Sequence, residues 1–302
     1  MEKRIITPQN LGLMESLGYE KFFIELEELL RTDKIVSDFL ARQIALFFYK
    51  DQKREVQRNP DNSLADKIEH QKEMAQDIAR LIKQEYRERY IKYFEAVAYL
   101  HDVREDSANG ESTINIRISK SRKKESVPDK PLLYLTNFFC APVPFMVHQL
   151  TRYDGESVEA NSKRITDFNY FKKNFIPPYT LSRKDDLNSE RANFFVTTLL
   201  LRMLDNKNNY TWGLKPLDYE DAQYYLDKAT TYLHLNQKIG NIFHLYNETT
   251  NSIFDEDKVF NEIETTIQLL ENYADRMRKD LEMYRKIEHY EPSFNPVLVG
   301  SF

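Results

Sequence analysis

The sequence predicts an all-α protein, and three observations support this fold class. Glycine occurs 7 times in 302 residues, well below the roughly 7% of an average chain, which disfavours turn-rich β-folds and glycine-rich nucleotide loops. Apolar side chains recur every three to four residues through most of the chain, as on the buried face of an amphipathic helix. Hydrophobic residues make up 41% of the chain, which is enough for a sizeable core and too much for general disorder.

Amphipathic helical patterns follow one another along the chain, separated by short polar segments. Asn59-Pro60-Asp61-Asn62 predicts a turn, and the following Ser63–Asp66 segment is a candidate cap for a long helix that runs to about residue 82. Further helices are predicted at residues 11–31, 34–50, 85–104, 143–151, 191–205, 218–248 and 256–290. Residues 107–131 are polar and predict an exposed insertion with a small β-hairpin.

Composition and charge exclude several classes of protein. The 43 basic and 48 acidic residues give a net charge of −5, whereas a protein that coats nucleic acid is normally basic. The single cysteine, Cys140, excludes a disulfide framework and a cysteine-based zinc site. No apolar stretch approaches the ~20 residues of a membrane span, and the N-terminus lacks the apolar core of a signal peptide. We therefore expect a soluble, cytoplasmic protein without a membrane partner.

A basic run at residues 117–124 is the main positively charged segment. It could contact nucleic acid or reach over a phosphorylated substrate. Because the chain as a whole is acidic, the interpretation as a solvated loop is favoured.

One short segment concentrates residues that bind metals or transfer protons. His101, Asp102, Glu105 and Asp106 follow each other at the polar end of an apolar helix, where positions three and four apart are neighbours. An imidazole and three carboxylates so close together are poorly suited to a core but suit the ligands and acid–base groups around a cation. On these residues alone, a capping aspartate and a hydrogen-bonded structural histidine remain the alternative.

The surrounding sequence resembles a known family. The run AVAYLHDVREDS at residues 96–107 is similar to the central motif of the RelA/SpoT-type hydrolases of the HD superfamily, in which small apolar residues precede His-Asp and Glu-Asp-Thr. Other segments resemble that domain in the same order, at residues 66–79, 139–157, 199–209 and 228–240. The similarity covers residues 38–248, with 107–131 as an insertion and with additional helices in N- and C-terminal extensions at 1–37 and 249–302.

The resemblance implies an HD-domain helical bundle with a metal site. Its expected metal ligands are His70, His101, Asp102 and Asp205. Mixed imidazole and carboxylate ligands suit Mn²⁺ or a related divalent ion, which lowers the pKa of bound water and neutralises phosphate charge. By the same resemblance, Glu105 and Asp106 are the catalytic residues that take the proton of this water and orient it.

The resemblance also implies a set of nucleotide-binding residues. These are Gln52, Arg54, Thr151, Arg152, Arg202 and Asn209. The spacing of Arg202, Asp205 and Asn209 places all three on one face of a helix. The family's His-x-Gly-Gln-x-Arg turn keeps only its glutamine and arginine in this chain, the proline after the first metal histidine is Gln71, and the arginine after the metal aspartate is Asn206.

The expected function is that of a metal-dependent nucleotide phosphohydrolase, similar to a (p)ppGpp 3′-pyrophosphohydrolase. Because the nucleotide-binding turn departs from the family's pattern, another substrate such as NADPH, a cyclic nucleotide or a nucleic-acid end stays open. A non-catalytic HD-fold subunit of a larger complex is the alternative from a different class. The outer helices could extend the core or mediate homo-oligomer formation or binding to a protein partner.

Overall fold

The computed structural model describes residues 64–103, 142–152, 155–175, 187–211 and 218–288, together with residues 41, 42, 44–46, 49, 53–58, 139 and 216. For residues 53–58, 64–67, 287 and 288 it describes the backbone alone. The protein belongs to the all-α class, as the sequence predicts. The expected hairpin at 107–131 and the N-terminal extension 1–37 lie outside the described residues. None of the described helices has the length and apolar character that a membrane span requires.

Eight helices and one short antiparallel ribbon are defined in the described part of the chain. The strands are β1 (Lys53–Arg58) and β2 (Leu64–Asp66). The helices are α1 (Lys67–Leu81), α2 (Gln84–Leu100), α3 (Pro142–Leu150), α4 (Val158–Ile165), α5 (Phe168–Asn174), α6 (Leu187–Thr211), α7 (Tyr219–Thr249) and α8 (Glu256–Glu288).

Helix α6 is the central element of the fold. It is buried on all of its faces over most of its length, and it packs against α1, α3, α5, α7 and α8. Its apolar residues, such as Leu199, Leu200 and Leu201, supply much of the core, as expected of a helix that is hydrophobic all round. The polar residues of α6 are therefore also enclosed by protein, and each needs partners within the fold.

Backbone hydrogen bonds join the two helical hairpins at their turns. The α1–α2 turn donates from Lys83 N to Ile253 O at 3.0 Å, and Asp255 N in the α7–α8 turn donates to Leu81 O at 2.8 Å. The Lys83 ammonium also donates to Ser252 O at 2.8 Å. These bonds fix α1, which carries one of the expected metal ligands, relative to the long C-terminal hairpin.

The C-terminal helix α8 belongs to the same core as the rest of the bundle. Leu270, Tyr273 and Met277 are each at most 2% exposed and are part of the main apolar cluster. Of the roles that the sequence left open for this outer helix, extension of the core is the one that the packing of α8 shows. The chain after Glu288 lies outside the described residues.

Local structure departs from the predictions at two places. Residues 64–66 pair with β1, so the segment expected to cap a helix forms strand β2, and α1 begins at Lys67. The short helices α4 and α5 were not predicted. Each begins at a side-chain cap: Ala160 N donates to Ser157 Oγ at 3.1 Å, and Tyr170 N donates to Asp167 Oδ1 at 3.0 Å.

A buried carboxylate stabilises the junction of α2 and α6. Glu190 is 2% exposed and accepts hydrogen bonds from Tyr90 Oη at 2.7 Å and from the Arg89 guanidinium at 2.5 Å. The Tyr90 hydroxyl in turn accepts from Asn193 Nδ2 at 3.2 Å. Loss of the Tyr90 hydroxyl therefore leaves two buried polar groups, Glu190 and Asn193, with one partner fewer.

We expect Tyr90→Phe to lower the free energy of unfolding by about 1–3 kcal/mol, because both Glu190 and Asn193 lose a partner in a buried site. Tyr86→Phe is the matched control on the same helix, since its hydroxyl accepts only an exposed bond from Asn251 Nδ2 at 3.2 Å among the bonds described, and we expect a change below about 0.5 kcal/mol. Urea denaturation of both variants measures the difference. Equal effects would contradict the assigned role of Glu190.

Candidate metal site

Four side chains from three separate parts of the chain meet beside the central helix. His70 lies on α1, His101 and Asp102 directly follow α2, and Asp205 lies on α6. His70 Nε2 is 3.3 Å from His101 Nε2 and 3.2 Å from Asp205 Oδ1. His70, His101 and Asp102 each present a possible ligand atom within 4.8 Å of the others. The structure thus brings together the four residues that the sequence predicts as metal ligands.

The hydrogen bonds of His101 leave one ring nitrogen suited to a metal ion. Its Nδ1 lies 2.8 Å from Ala98 O, and because a carbonyl can only accept, Nδ1 carries a proton and donates. In the neutral ring the lone pair is then on Nε2, the atom that faces His70 and Asp102. Two ring nitrogens bound to one ion at about 2.1 Å each lie about 3.0–3.4 Å apart at right-angled to tetrahedral geometry, so the observed 3.3 Å fits a shared ion.

Asp102 is the most exposed member of the cluster. Its side chain is 29% exposed, whereas the side chains of His70, His101 and Asp205 are 3–7% exposed. Asp102 Oδ1 lies 3.1 Å from His101 Nε2, and Oδ2 accepts from Gln71 Nε2 at 3.4 Å. The cluster therefore opens to solvent at Asp102.

Asp205 is held by neighbours on its own helix. Arg202 Nη1 donates to Asp205 Oδ2 at 2.7 Å, and Asn209 Nδ2 donates to Asp205 Oδ1 at 2.7 Å. The predicted common face of these three residues is therefore observed. Arg202 is 7% exposed and also donates to Leu150 O at 2.9 Å. Its guanidinium is therefore hydrogen-bonded to Asp205 and to the last residue of α3.

Charge interactions within the cluster shift the pKa values of its members. Burial by itself lowers the pKa of His101, but the charge and hydrogen bond of Asp102, followed by those of Asp205, outweigh burial and hold this pKa well above its usual range. Burial alone raises the pKa of Asp205, yet the hydrogen bonds of His101 and His70 and the charge of Arg202 hold it well below its usual range. In the metal-free protein the two carboxylates thus favour the protonated form of His101.

A further group of polar residues supports the cluster from helix α4. Arg202 Nη2 donates to Asn161 Oδ1 at 2.7 Å, and Arg164 binds Glu156 through two hydrogen bonds of 2.9 and 3.1 Å. Gly155, with φ +77°, takes the left-handed conformation that favours glycine just before Glu156. Sequence reasoning missed Asn161, because its partner on α6 is 41 positions away and no spacing rule connects them.

The other expected site residues fall into three groups. Thr151 is 3% exposed, and its hydroxyl donates to Val147 O at 2.9 Å, while Arg152 next to it is partly exposed. Arg54 lies on β1, where only the backbone is described. Gln52 and the expected catalytic residues Glu105 and Asp106 lie outside the described residues.

Comparison of the whole chain with protein-family models, with curated proteins and with solved structures found no match in any of the three. The geometry of the cluster and the motifs in the sequence are therefore the observations that bear on function.

Proposed function

We propose that this protein binds a divalent metal ion through His70, His101, Asp102 and Asp205 and uses it to hydrolyse a phosphorylated nucleotide. The observation that carries the proposal is the convergence of these four side chains. The sequence motifs predict all four, and partners that lie 31 and 135 positions apart in the chain are within 3.3 Å of each other.

A purely structural ion-pair cluster is the simplest competing explanation. Burying charged groups costs several kcal/mol per ion, and buried ion pairs are often no more stabilising than apolar residues of similar size. Here two imidazoles and two carboxylates lie in or beside the core, and both Nε2 atoms point toward the same place. A bound cation would compensate both carboxylates and accept both lone pairs, so metal binding accounts better for this set of residue types.

The chemistry of a phosphohydrolase divides between the ion and the chain. When bound, a divalent ion supplies an activated water and neutralises charge on a phosphate. His70, His101 and Asp205 hold the site from the buried side, while Asp102 lies at its open edge. By resemblance to the RelA/SpoT-type hydrolases, Glu105 accepts the proton of the attacking water and Asp106 orients it, and the favoured substrate is (p)ppGpp, which would lose its 3′-pyrophosphate.

We expect the wild-type protein to bind about one equivalent of Mn²⁺, and Asp102→Ala or His70→Ala to abolish this binding because each removes a ligand. His244→Ala is the matched control, since His244 is exposed on α7 and pairs with Glu248 on the same helix. Metal analysis after Mn²⁺ loading and desalting measures the content. A wild-type content below one-tenth of an equivalent would favour the non-catalytic subunit.

Metal binding should also release a proton. The raised pKa of His101 favours its protonated ring in the metal-free protein, whereas a metal ion needs the lone pair of its Nε2. We therefore expect Mn²⁺ affinity to increase with pH, and titration calorimetry at pH 7 in buffers of different ionisation enthalpy to detect the released proton. A binding enthalpy that is independent of the buffer would contradict a protonated His101.

The same shift predicts opposite pH trends for the stability of the metal-free protein and for the additional stability given by Mn²⁺. A raised pKa in the folded state means that the contribution of His101 to metal-free stability is complete below its unfolded pKa of about 6.5 and is lost as the pH rises through the raised value. The additional stability given by Mn²⁺ should instead grow over this window. Thermal unfolding with Mn²⁺ and with a chelator, across the pH range, compares the two trends.

We expect the Mn²⁺-loaded protein to release pyrophosphate from ppGpp. Glu105→Gln should keep its Mn²⁺ but lose turnover by about 10²–10⁴-fold, the usual contribution of general acid–base catalysis, and Asp106→Asn should have a similar or milder effect. An active-site role for Glu105 would be wrong if Glu105→Gln lost its metal or stayed within a few-fold of wild type.

The assignment of ppGpp as the substrate is tested separately from metal binding. Metal-loaded protein that leaves ppGpp intact would refute the alarmone as substrate. Hydrolysis of NADPH, a cyclic nucleotide or a nucleic-acid end, abolished by Asp102→Ala, would then identify another phosphorylated substrate for the same site.

A further inference from the structure

A chain of buried polar groups lies on the Oδ2 side of Asp205. The Arg202 guanidinium donates from Nη1 to Asp205 Oδ2 and from Nη2 to Asn161 Oδ1, both at 2.7 Å. Arg202 is 7% exposed and Asn161 is 2% exposed. Because both groups are enclosed by protein, bulk water does not compete for these hydrogen bonds. The position of Asn161 therefore affects that of Arg202, and the position of Arg202 affects that of the Asp205 carboxylate.

The orientation of the Asn161 amide is fixed by its other partners. Asn161 Nδ2 donates to Glu156 Oε2 at 3.2 Å and to Thr151 O at 3.4 Å. A flipped amide would place its oxygen against the Glu156 carboxylate and its NH₂ group against the Arg202 guanidinium. Both contacts would be repulsive, so the amide oxygen faces Arg202.

The Glu156 carboxylate that selects this orientation is itself held in place. Arg164 binds it through Nε and Nη2 and also donates to Thr151 O at 2.7 Å and Gln149 O at 3.2 Å. Helix α4, the end of α3 and the central helix α6 are thereby joined by one set of hydrogen bonds that ends on Asp205.

We propose that Asn161 is a positioning residue for the metal site. It orients Arg202, and Arg202 holds Asp205 Oδ2, so that Oδ1, which lies 3.2 Å from His70 Nε2, is the oxygen presented to the ion. Ligation through one oxygen leaves more positions on the ion for water and substrate than ligation through both. This inference rests on the proposed metal binding and extends it to a residue that no sequence motif indicates.

A structural role and a positioning role of Asn161 predict different measurements. If Asn161 only anchors α4, its loss lowers stability and leaves metal binding unchanged. If it positions Asp205, its loss weakens Mn²⁺ binding and changes the number of water molecules on the ion, because a released Asp205 can turn or bind through both oxygens. Residues that orient metal ligands typically contribute 10–100-fold to metal affinity.

The test compares Asn161→Leu with Asn236→Leu. Both replace a buried amide, and Asn236 is 0% exposed, donates to Tyr232 O at 2.7 Å and lies on α7. Competition with a chelating dye measures the Mn²⁺ affinity. We expect this affinity to fall by about tenfold or more in Asn161→Leu. In Asn236→Leu we expect a similar loss of thermal stability but the wild-type Mn²⁺ affinity. Water-proton relaxation of the Mn²⁺ complex should also change in Asn161→Leu alone.

Two further variants make the result decisive. Asn161→Asp keeps an oxygen toward Arg202 but places its other oxygen against the Glu156 carboxylate and Thr151 O, so it should also weaken Mn²⁺ binding. Glu156→Gln removes the charge that orients the amide and should weaken Mn²⁺ binding. This variant tests the positioning role of Asn161 if Asn161→Leu does not fold. Wild-type affinity and hydration in the variants at 161 and 156 would overturn the inference while leaving the proposed function intact. A wild-type protein that binds no Mn²⁺ would overturn both.

Discussion

The burial of helix α6 over most of its length constrains how the neighbouring elements pack around it. A helix enclosed on all sides can use polar residues only where each finds partners inside the protein, since an unpaired buried charge costs several kcal/mol. Asp205 and Arg202 satisfy each other on this helix, but together they also require the imidazoles of α1 and α2 and the amide of α4. The polar residues of one central helix thus determine how three other parts of the chain must approach it.

The cluster built on this helix has the properties expected of a ligand set. Its nitrogens and oxygens converge, His101 and Asp205 are oriented by hydrogen bonds from outside the cluster, and Asp102 leaves one side open. Orienting hydrogen bonds of this kind are typical around metal-binding histidines and carboxylates. The His101–Ala98 bond and the Arg202–Asp205 bond are examples, and each sets which atom of its residue faces the centre.

Long periodic segments were the parts of the fold that could be predicted from sequence. The helices expected at 143–151, 218–248 and 256–290 are observed at 142–150, 219–249 and 256–288, because apolar periodicity over several turns leaves few alternatives. The seven- and eight-residue helices α5 and α4 were missed, since one or two turns hold too little periodicity and their caps, Ser157 and Asp167, are equally common in turns. The local pattern at residues 63–66 predicts a helix cap, but residues 64–66 form strand β2. This strand exists because it pairs with β1, and the local pattern does not indicate β1.

The helical class and the residue types of the candidate site are predictable from the amino-acid sequence, because helical spacing and metal-ligand chemistry are local properties of residues near in the chain. His101 and Asp102 follow from such a pattern, as does the face shared by Arg202, Asp205 and Asn209. Three features are visible only in the folded structure: His70 meets Asp205 across 135 positions, Asn161 supports Arg202, and Asp102 is the exposed edge of the cluster. These features depend on how buried helices pack, and packing is set by contacts between distant residues that no local spacing records.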